Sequence, residues 1–393
     1  MATLLEERRD GARARLLAEV RDVLESTTRH TAGSADVGRR DRLWAADPRV
    51  LLTNPLSVAY GACGTMLFLN TVAGPLPERL VRWLLDQPLS TRSYPPGLFL
   101  GLGGIAWTLR ELGCDEAADR ALAVLYRSPL LFEEPHLLHG ASGWGLVAID
   151  QFRRTGDEEH LAWALRAGRY LQHTAWHDGD SAHWRSAGEE KVHFGFGFGA
   201  SGVALFLLQL HAVTGDAEFA ELAVRALDFD VAHRVENELG WNWQRYEGDA
   251  LIRPYWIEGG AGIGSVAIRA HHLLGSARHL AVAERIAQDL CLKFTVTPGL
   301  FEGLTGIAEF MLDMHRFTGE QAYLDQALDM AETILWFRVP AEGGTAWPGR
   351  SLDRITHDYA TGAAGIGLFL ARLCQPGPRL FLDIEGEGKG ERR

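Results

Sequence analysis

The sequence predicts an all-α fold, an α/α toroid of seven inner and seven outer helices, from a glycine repeat and its flanking segments. Seven Gly-x-x-Gly pairs recur 39 to 60 residues apart in the 393 residues. An apolar segment follows each pair, and amphipathic segments alternate with these. Because such a helix pair cannot cover its apolar face alone, a closed ring of repeats is expected. The pairs are Gly61/Gly64, Gly101/Gly104, Gly140/Gly143, Gly199/Gly202, Gly259/Gly262, Gly303/Gly306 and Gly362/Gly365.

Each predicted inner helix ends at a short turn that also starts the next helix. Glycine can adopt the left-handed cap, and the following Asp or Ser can N-cap an outer helix. Residues 6–26 are expected to form the first outer helix, and the segment after Gly365 the last inner one. The turns are Thr155-Gly156-Asp157, Thr214-Gly215-Asp216, Leu274-Gly275-Ser276 and Thr318-Gly319-Glu320.

Three long connections, 173–198, 234–258 and 338–361, precede glycine pairs and should lie on one face of the ring. They carry six of the twelve tryptophans, which favours a binding mouth, although the same residues could simply pack the loops. No run alternates strictly enough to predict a strand. The expected domains are an N-terminal outer helix and linker (1–48), the toroid (49–376) and a charged, disordered tail (377–393).

The composition excludes several classes of protein. The net charge is −12, which argues against a nucleic-acid partner. No apolar run approaches the roughly 20 residues of a membrane helix, and the start lacks a signal-peptide core, so a cytoplasmic location is expected. The four scattered cysteines favour buried thiols over disulfides.

Six stretches around the glycine pairs are distinctive as a set: NPLSVAYGACG (54–64), HLLHGASG (136–143), GFGFGASGVALFLLQL (195–210), YWIEGGAGIG (255–264), FEGLTGIAEF (301–310) and HDYATGAAGIGLFLARL (357–373). They resemble the lanthionine synthetase C-like cyclases, over residues 50–374. The resemblance implies a seven-module α/α toroid. It also implies thioether ring closure, in which a Cys thiol adds to dehydroalanine or dehydrobutyrine in a ribosomally made precursor peptide.

The resemblance also implies a zinc ion in one branch of the family, held by two Cys and one His. Ile257, Phe301 and Glu302 occupy those three positions here, so we expect no metal and no cofactor. Phe198 stands at the place of a family His, and His136 at the place of a family Asp. This pattern resembles the zinc-free cyclase region of class III lanthipeptide synthetases. Residues 41–64 look like the joint after their kinase part, yet this chain starts with its own Met and has no kinase motif, so separate kinase and lyase proteins are expected.

Thiol addition needs a proton acceptor for the thiol and a donor for the developing enolate. The predicted catalytic residues are His136, His139, Glu258 and Glu302, with a histidine as base and a carboxylate orienting it. Structural roles remain open for each of them, including hydrogen bonds from Glu258 and Glu302 to helix N–H groups. The predicted substrate-binding residues are His193, Trp241, Trp243, Trp256, His357 and Asp358.

Two other functions remain open. The ring could be a non-catalytic scaffold that binds the precursor peptide or partner enzymes while rings close spontaneously. Glycoside hydrolysis by two carboxylates is the other alternative, because α/α toroids also carry sugar hydrolases. The motif set argues against glycoside chemistry.

Overall fold

The computed structural model describes residues 2–384 apart from 187, 190, 292 and 293, with side chains from residue 11 onward. The predicted tail residues 385–393 lie outside this range. In chain order the helices are α1 (Ala2–Gly33), α2 (Arg49–Leu52), α3 (Ala62–Ala73), α4 (Glu78–Leu85), α5 (Leu102–Glu111), α6 (Asp115–Leu125), α7 (Ala141–Thr155), α8 (Glu158–Thr174), α9 (Ala200–Thr214), α10 (Ala217–Ala232), α11 (Gly260–Leu274), α12 (Ala277–Asp289), α13 (Leu304–Thr318), α14 (Gln321–Leu335) and α15 (Ala363–Cys374).

The helices form the predicted closed ring. The inner helices are α3, α5, α7, α9, α11, α13 and α15; each packs against the next, and α15 packs against α3. The outer helices of the described chain are α1, α4, α6, α8, α10, α12 and α14, and α1 packs against both α15 and α3 where the ring closes. The sequence prediction of seven inner and seven outer helices is confirmed, with the four-residue α2 as an addition.

The second glycine of each pair is required by a close backbone contact. A Cβ atom at Gly104 would lie 1.9 Å from the carbonyl oxygen of Leu98, and one at Gly306 would lie 2.2 Å from that of Leu300. The other five second glycines meet the carbonyl six residues earlier at distances within the same range. The turn before each inner helix therefore folds back onto that helix at a separation that only glycine permits.

Within the described part of the chain, backbone hydrogen bonds join these turns at six of the seven junctions between neighbouring modules. The amide N–H of Ala59 donates to the carbonyl of Phe99 (2.9 Å), and that of Phe301 donates to Ala360 (2.9 Å). The belt also includes the bonds Phe99 to Leu138 (3.0 Å), Gly197 to Ile257 (2.8 Å), Ile257 to Phe301 (3.1 Å) and Ala360 to Ala59 (2.9 Å). Backbone groups that would otherwise be buried without partners are thus satisfied between modules.

The turns at the far ends of the inner helices agree with the prediction in part. Glycines 156, 215, 275 and 319 adopt the left-handed conformation there. Asp157 and Asp216 cap the following helices by accepting hydrogen bonds from backbone N–H groups. Ser276, which was also expected to cap, makes no side-chain cap hydrogen bond, so that part of the prediction is wrong.

The three long connections contain short strands, which the sequence did not predict. The strands are β1 (Trp176–Asp178), β2 (Ser181–His183), β3 (Val235–Glu236), β4 (Trp241–Gln244), β5 (Ile252–Arg253), β6 (Val339–Ala341) and β7 (Gly344–Ala346). They pair antiparallel in the orders β1-β2, β3-β4-β5 and β6-β7. Strands of two to four residues are too short to produce a detectable alternation of polar and apolar residues.

The prediction of a disordered tail from residue 377 is wrong for residues 379–384. The Phe381 ring is 1% exposed and packs against Trp107, with ring centroids 5.0 Å apart. Asp383 accepts a hydrogen bond of 2.7 Å from Arg269. The guanidinium of Arg379 contacts the buried carboxylate of Asp313 at 3.0 Å. The segment therefore fastens to the inner helices through apolar burial and paired charges.

None of the described helices is both long and apolar enough to cross a bilayer.

Substituting the second glycine of a pair should destabilise the ring. Gly262→Ala places a methyl group about 2.0 Å from the carbonyl oxygen of Trp256, so the turn or the helix must shift. We expect a loss of roughly 2–4 kcal/mol in the free energy of unfolding, measured by denaturant titration. Gly33→Ala is the matched control, because nothing lies within 4 Å of that position and its stability should change little. Equal stability of the two variants would contradict the close-contact explanation.

Candidate functional site

The mouth of the toroid is formed by the glycine turns at the N-terminal ends of the inner helices and by the long connections. Because the seven modules repeat around one axis, residues just before these helices converge on a shared face. Residues 134–139 precede α7, Phe198 precedes α9, Glu258 precedes α11 and Glu302 precedes α13. The four predicted catalytic positions are therefore on this face, supplied by three different modules.

Three side chains of the third module form a compact cluster, Glu134, His136 and His139. The Nε2 atom of His136 lies 3.4 Å from Oε2 of Glu134. The two imidazole rings meet edge to face, with centroids 4.1 Å apart. His136 is only 2% exposed, whereas His139 is partly exposed. The structure thus brings the two predicted histidines together and adds Glu134, which the sequence prediction missed although it lies two residues before His136.

The charges of this cluster follow from burial and its hydrogen bonds. Burial and, to a smaller extent, the neighbouring His136 lower the pKa of His139 to about 3, against the opposing effect of Glu134. Burial by itself would raise the pKa of Glu134, but hydrogen bonds to His136 and Ser186 hold it below its ordinary value. At neutral pH a carboxylate therefore stands beside a neutral His139 imidazole.

The fourth module borders this cluster with aromatic side chains. The Phe198 ring lies 5.0 Å from the ring of His136 and 5.7 Å from that of His193. His193 also contacts Tyr246, with centroids 5.6 Å apart, and its Nε2 lies 3.2 Å from a carboxylate oxygen of Glu189. The predicted substrate-binding residue His193 is therefore next to the cluster.

The two predicted carboxylates are paired with arginines. Glu302 lies 2.8 Å from Arg350 and 3.5 Å from Arg49. Glu258 is 8% exposed and lies 3.6 Å from Arg245. Burial raises the pKa of Glu258, Arg245 opposes that shift, and Glu302 adds to it. The partners found for these carboxylates are side-chain cations rather than the helix N–H groups considered from the sequence.

The residues at the family's zinc positions do not fit a zinc ion. Phe301 is 1% exposed and packs edge to face against Phe99, with centroids 5.6 Å apart. Ile257 is 3% exposed and packs within the core. Glu302 is the only one of the three with a ligand atom, and its carboxylate is already paired with arginines. One carboxylate beside two apolar side chains cannot supply a tetrahedral donor set.

Two of the three predicted tryptophans are buried away from the mouth. Trp243 and Trp256 are fully buried. The indole N–H of Trp243 donates to the carbonyl of Asp230, and the Trp256 ring packs against Phe301 and beneath the guanidinium of Arg379. Trp241 is half-buried, with the guanidinium of Arg234 4.4 Å from its ring. These positions correct the prediction: the tryptophans anchor the connections, because large aromatic rings gain most from burial.

His357 and Asp358 are also structural, contrary to the prediction. His357 is 2% exposed and contacts Thr31 of α1 and Ser34, which follows this helix, with nitrogen–oxygen distances of 3.4 Å to each. Asp358 is fully buried and accepts hydrogen bonds from the N–H groups of Asp47 (2.9 Å) and Thr361 (2.8 Å). The two side chains tie the seventh module to the N-terminal segment, where the ring closes.

In the described part of the chain, the Glu134, His136 and His139 cluster is the only group of three or more side chains that could hold a metal ion. One ligand atom from each of Glu134, His136 and His139 lies within 4.8 Å of the others. The fold and the site together define a class of protein, an α/α toroid with a polar mouth that combines imidazoles and carboxylates.

The chain belongs to the lanthionine synthetase C-like protein family, whose model matches residues 54–385. It is 29% identical, over 359 residues, to a probable SapB synthase of Streptomyces coelicolor. That match covers 88% of this chain and 37% of the relative, so the chain spans little more than a third of the relative's length.

Solved structures share the fold. Nisin cyclase superposes with a TM-score of 0.63 at 16% identity, over 81% of this chain and 88% of that one. A glycoside hydrolase family 76 mannosidase from Bacteroides thetaiotaomicron superposes with a TM-score of 0.51 at 13% identity, over 91% and 98% of the two chains. At these identities the likeness concerns the fold alone, and the family assignment rests on the sequence match.

A buried carboxylate of α10 holds the turn of the fourth module. Asp230 is fully buried and accepts hydrogen bonds from the backbone N–H groups of Gly195 (3.3 Å) and Ser201 (2.9 Å), and from the Ser201 hydroxyl. Burial raises its pKa to about 7, and these hydrogen bonds oppose the rise. This contact fixes the turn that carries Phe198.

Asp230→Asn should change how stability depends on pH. Since the native pKa of Asp230 is above its unfolded value, ionisation favours the unfolded chain as pH rises from about 4 to 7. The variant should therefore become more stable relative to the unsubstituted protein as pH increases through this window, by up to about 4 kcal/mol. Denaturant unfolding at pH 5 and pH 8 measures the difference. A constant difference between the two proteins would contradict a raised pKa.

Proposed function

We propose that the protein is a zinc-independent lanthipeptide cyclase, which adds a Cys thiol to dehydroalanine or dehydrobutyrine in a ribosomally synthesised precursor peptide. Membership of the lanthionine synthetase C-like family supports the reaction class. The observation that carries the proposal is the contact between Glu134 and His136 beside His139 at the mouth. A carboxylate that orients an imidazole is a recurrent arrangement for general base catalysis.

In the proposed reaction the thiol proton passes to Nδ1 of His136, while the proton on its Nε2 stays shared with Glu134. The sulfur then bonds to Cβ of the dehydroamino acid, and the electrons of the double bond move toward the adjacent carbonyl as an enolate. A proton returned to Cα completes the thioether. The low pKa of His139 makes it a poor proton acceptor, so its role is donation of a hydrogen bond to the enolate oxygen.

The proposal requires no zinc at the family's ligand positions. Ile257 and Phe301 contribute to the core, and the carboxylate of Glu302 pairs with Arg49 and Arg350. A free thiol with a pKa of about 8.5 is a few per cent ionised near neutral pH, so a base and a bound conformation of the peptide can supply the rate increase.

The proposed partners are the dehydrated precursor peptide and separate kinase and lyase proteins that prepare it, in the cytoplasm. Glu258 and Glu302, with their arginines, present alternating charges at the mouth that can bind peptide amides and charged side chains. The peptide determines which ring forms. Lanthionine and labionin, the two candidate thioether rings, differ only in the electrophile with which the enolate reacts.

The alternative function is a non-catalytic scaffold that holds the peptide while rings close spontaneously. One observation favours it: His136 is almost fully buried, so a peptide thiol can approach its ring only if the mouth adjusts. Glycoside hydrolysis has less support, because both candidate carboxylates are paired with arginines.

Substitutions of single residues in the cluster should distinguish a catalytic protein from a non-catalytic scaffold. With a dehydrated Cys-containing peptide, His136→Ala and Glu134→Gln should reduce the ring-closure rate by about 10²–10⁴-fold, the usual contribution of a general base. His139→Ala should also slow closure through loss of enolate stabilisation. Thioether formation is measured by mass spectrometry after alkylation of free thiols.

The matched control is His315→Ala, since this histidine lies at the far end of inner helix α13, where its Nδ1–H donates to the carbonyl of Glu320. Its rate should equal that of the unsubstituted protein. Rates that are unchanged in the cluster variants would favour the scaffold.

Prior dialysis against a strong chelator should leave ring closure unchanged. The expected reason is that thiol activation uses imidazole and carboxylate groups rather than a Lewis acid. Rates before and after chelation, with metal content measured on the same samples, test this. A loss of activity that added Zn²⁺ restores would contradict the proposal.

A further inference from the structure

We propose that Glu134, His136 and His139 also form a binding site for a divalent transition-metal ion of the Zn²⁺ class, and that the ion inhibits the chemistry of this cluster. The inference deepens the proposed function and rests on it for the inhibitory consequence only. It concerns a different module from the family's zinc positions and a different donor set, two imidazoles and one carboxylate.

The geometry of the cluster suits such an ion. One ligand atom from each residue lies within 4.8 Å of the other two. The separation of 3.4 Å between His136 Nε2 and Glu134 Oε2 equals the edge of a tetrahedron whose metal–ligand bonds are about 2.1 Å long. The third ligand atom, from the partly exposed His139, lies within 4.8 Å of these two and must move closer to complete the tetrahedron.

The unsatisfied atoms of the cluster also point to a ligand. His136 is 2% exposed, and its Nδ1 has no hydrogen-bond partner among the described residues; the Nδ1 atom of His139 is in the same condition. A buried ring nitrogen without a partner costs free energy. The unpartnered Nδ1 of His139 is available as a ligand atom for a metal ion, whereas Nδ1 of His136 is left to water when the ion binds Nε2 of that ring.

The chemical types of the three ligand side chains determine which metal ions can bind. Imidazole nitrogens favour Zn²⁺, Co²⁺, Ni²⁺ or Cu²⁺ over Mg²⁺ and Ca²⁺, which prefer oxygen ligands. The Glu134 carboxylate supplies one negative charge against the two positive charges of the ion. Two imidazoles and one carboxylate leave a coordination position for water.

A metal ion on one nitrogen of the His136 ring prevents the other nitrogen from accepting the thiol proton. Without metal, the proton between Glu134 and His136 lies on Nε2, and Nδ1 is the proton acceptor. A metal ion bound to Nε2 replaces that proton, and a neutral imidazole coordinated there must carry its hydrogen on Nδ1. Nδ1 then donates and can no longer accept the thiol proton. Metal binding therefore converts the proposed base into an inert ligand.

The binding test uses chelator-treated, full-length protein titrated with Zn²⁺, followed by calorimetry, and with Co²⁺, followed by its visible absorption. One equivalent should bind to the unsubstituted protein. Glu134→Gln, His136→Gln and His139→Gln should each weaken binding by at least about 100-fold, since each removes a ligand. His139→Gln, at a partly exposed position, keeps the test decisive should the buried substitution prevent folding. Glu258→Gln, outside the cluster, should still bind one equivalent.

Weak binding of several equivalents, or binding that all three cluster variants retain, would show adventitious surface binding and overturn the site. The inhibitory step has its own readout, the ¹⁵N NMR signals of labelled histidines. Zn²⁺ should move the His136 hydrogen from Nε2 to Nδ1; an unchanged tautomer at full occupancy would overturn the competition.

Ring closure provides a separate measurement. One equivalent of Zn²⁺ should reduce the rate to that of the uncatalysed reaction, and a chelator should restore it. Faster closure with bound metal would overturn inhibition. If the metal-free protein does not accelerate closure at all, the proposed function fails, whereas the titration and the NMR signals still decide whether the metal site exists.

Discussion

The belt of backbone hydrogen bonds between the glycine turns is the constraint on which the rest of the structure depends. Each bond joins the turn of one module to that of its neighbour, as in Ala59 to Phe99 and Phe301 to Ala360. The turns can approach because the second glycine of each pair has no Cβ to collide with the carbonyl behind it. The belt sets the spacing of the inner helix starts, and hence the relative positions of every side chain at the mouth.

The same constraint explains why the family's metal positions could be converted into core and ion pairs without loss of the fold. Ile257 and Phe301 belong to the belt through their backbone atoms, whatever side chains they carry. Their apolar side chains fill the centre of the ring, and Glu302 binds Arg49 and Arg350 across module boundaries. The imidazoles of His136 and His139 at the mouth are supplied by the third module.

The Glu134, His136 and His139 cluster can serve two purposes with the same side chains, proton transfer and metal binding. A carboxylate against a buried imidazole can support proton transfer, and an adjacent imidazole kept neutral by burial can donate a hydrogen bond. The same donor atoms match a transition-metal ion. Acid–base catalysis and metal binding therefore exclude each other here, because a metal ion on Nε2 of His136 leaves the ring's hydrogen on Nδ1, the atom that must accept the thiol proton.

The sequence by itself determined the ring, the number of helices and the approach of His136 to His139, since the glycine pairs and the three-residue separation of the histidines are local features. Only the tertiary structure decided which polar residues reach the mouth. Trp243, Trp256 and Asp358 looked like binding residues in the sequence, yet they are buried. Glu134 became visible only as the partner of His136. Such roles depend on side-chain direction and on partners from distant modules, which repeat spacing does not encode.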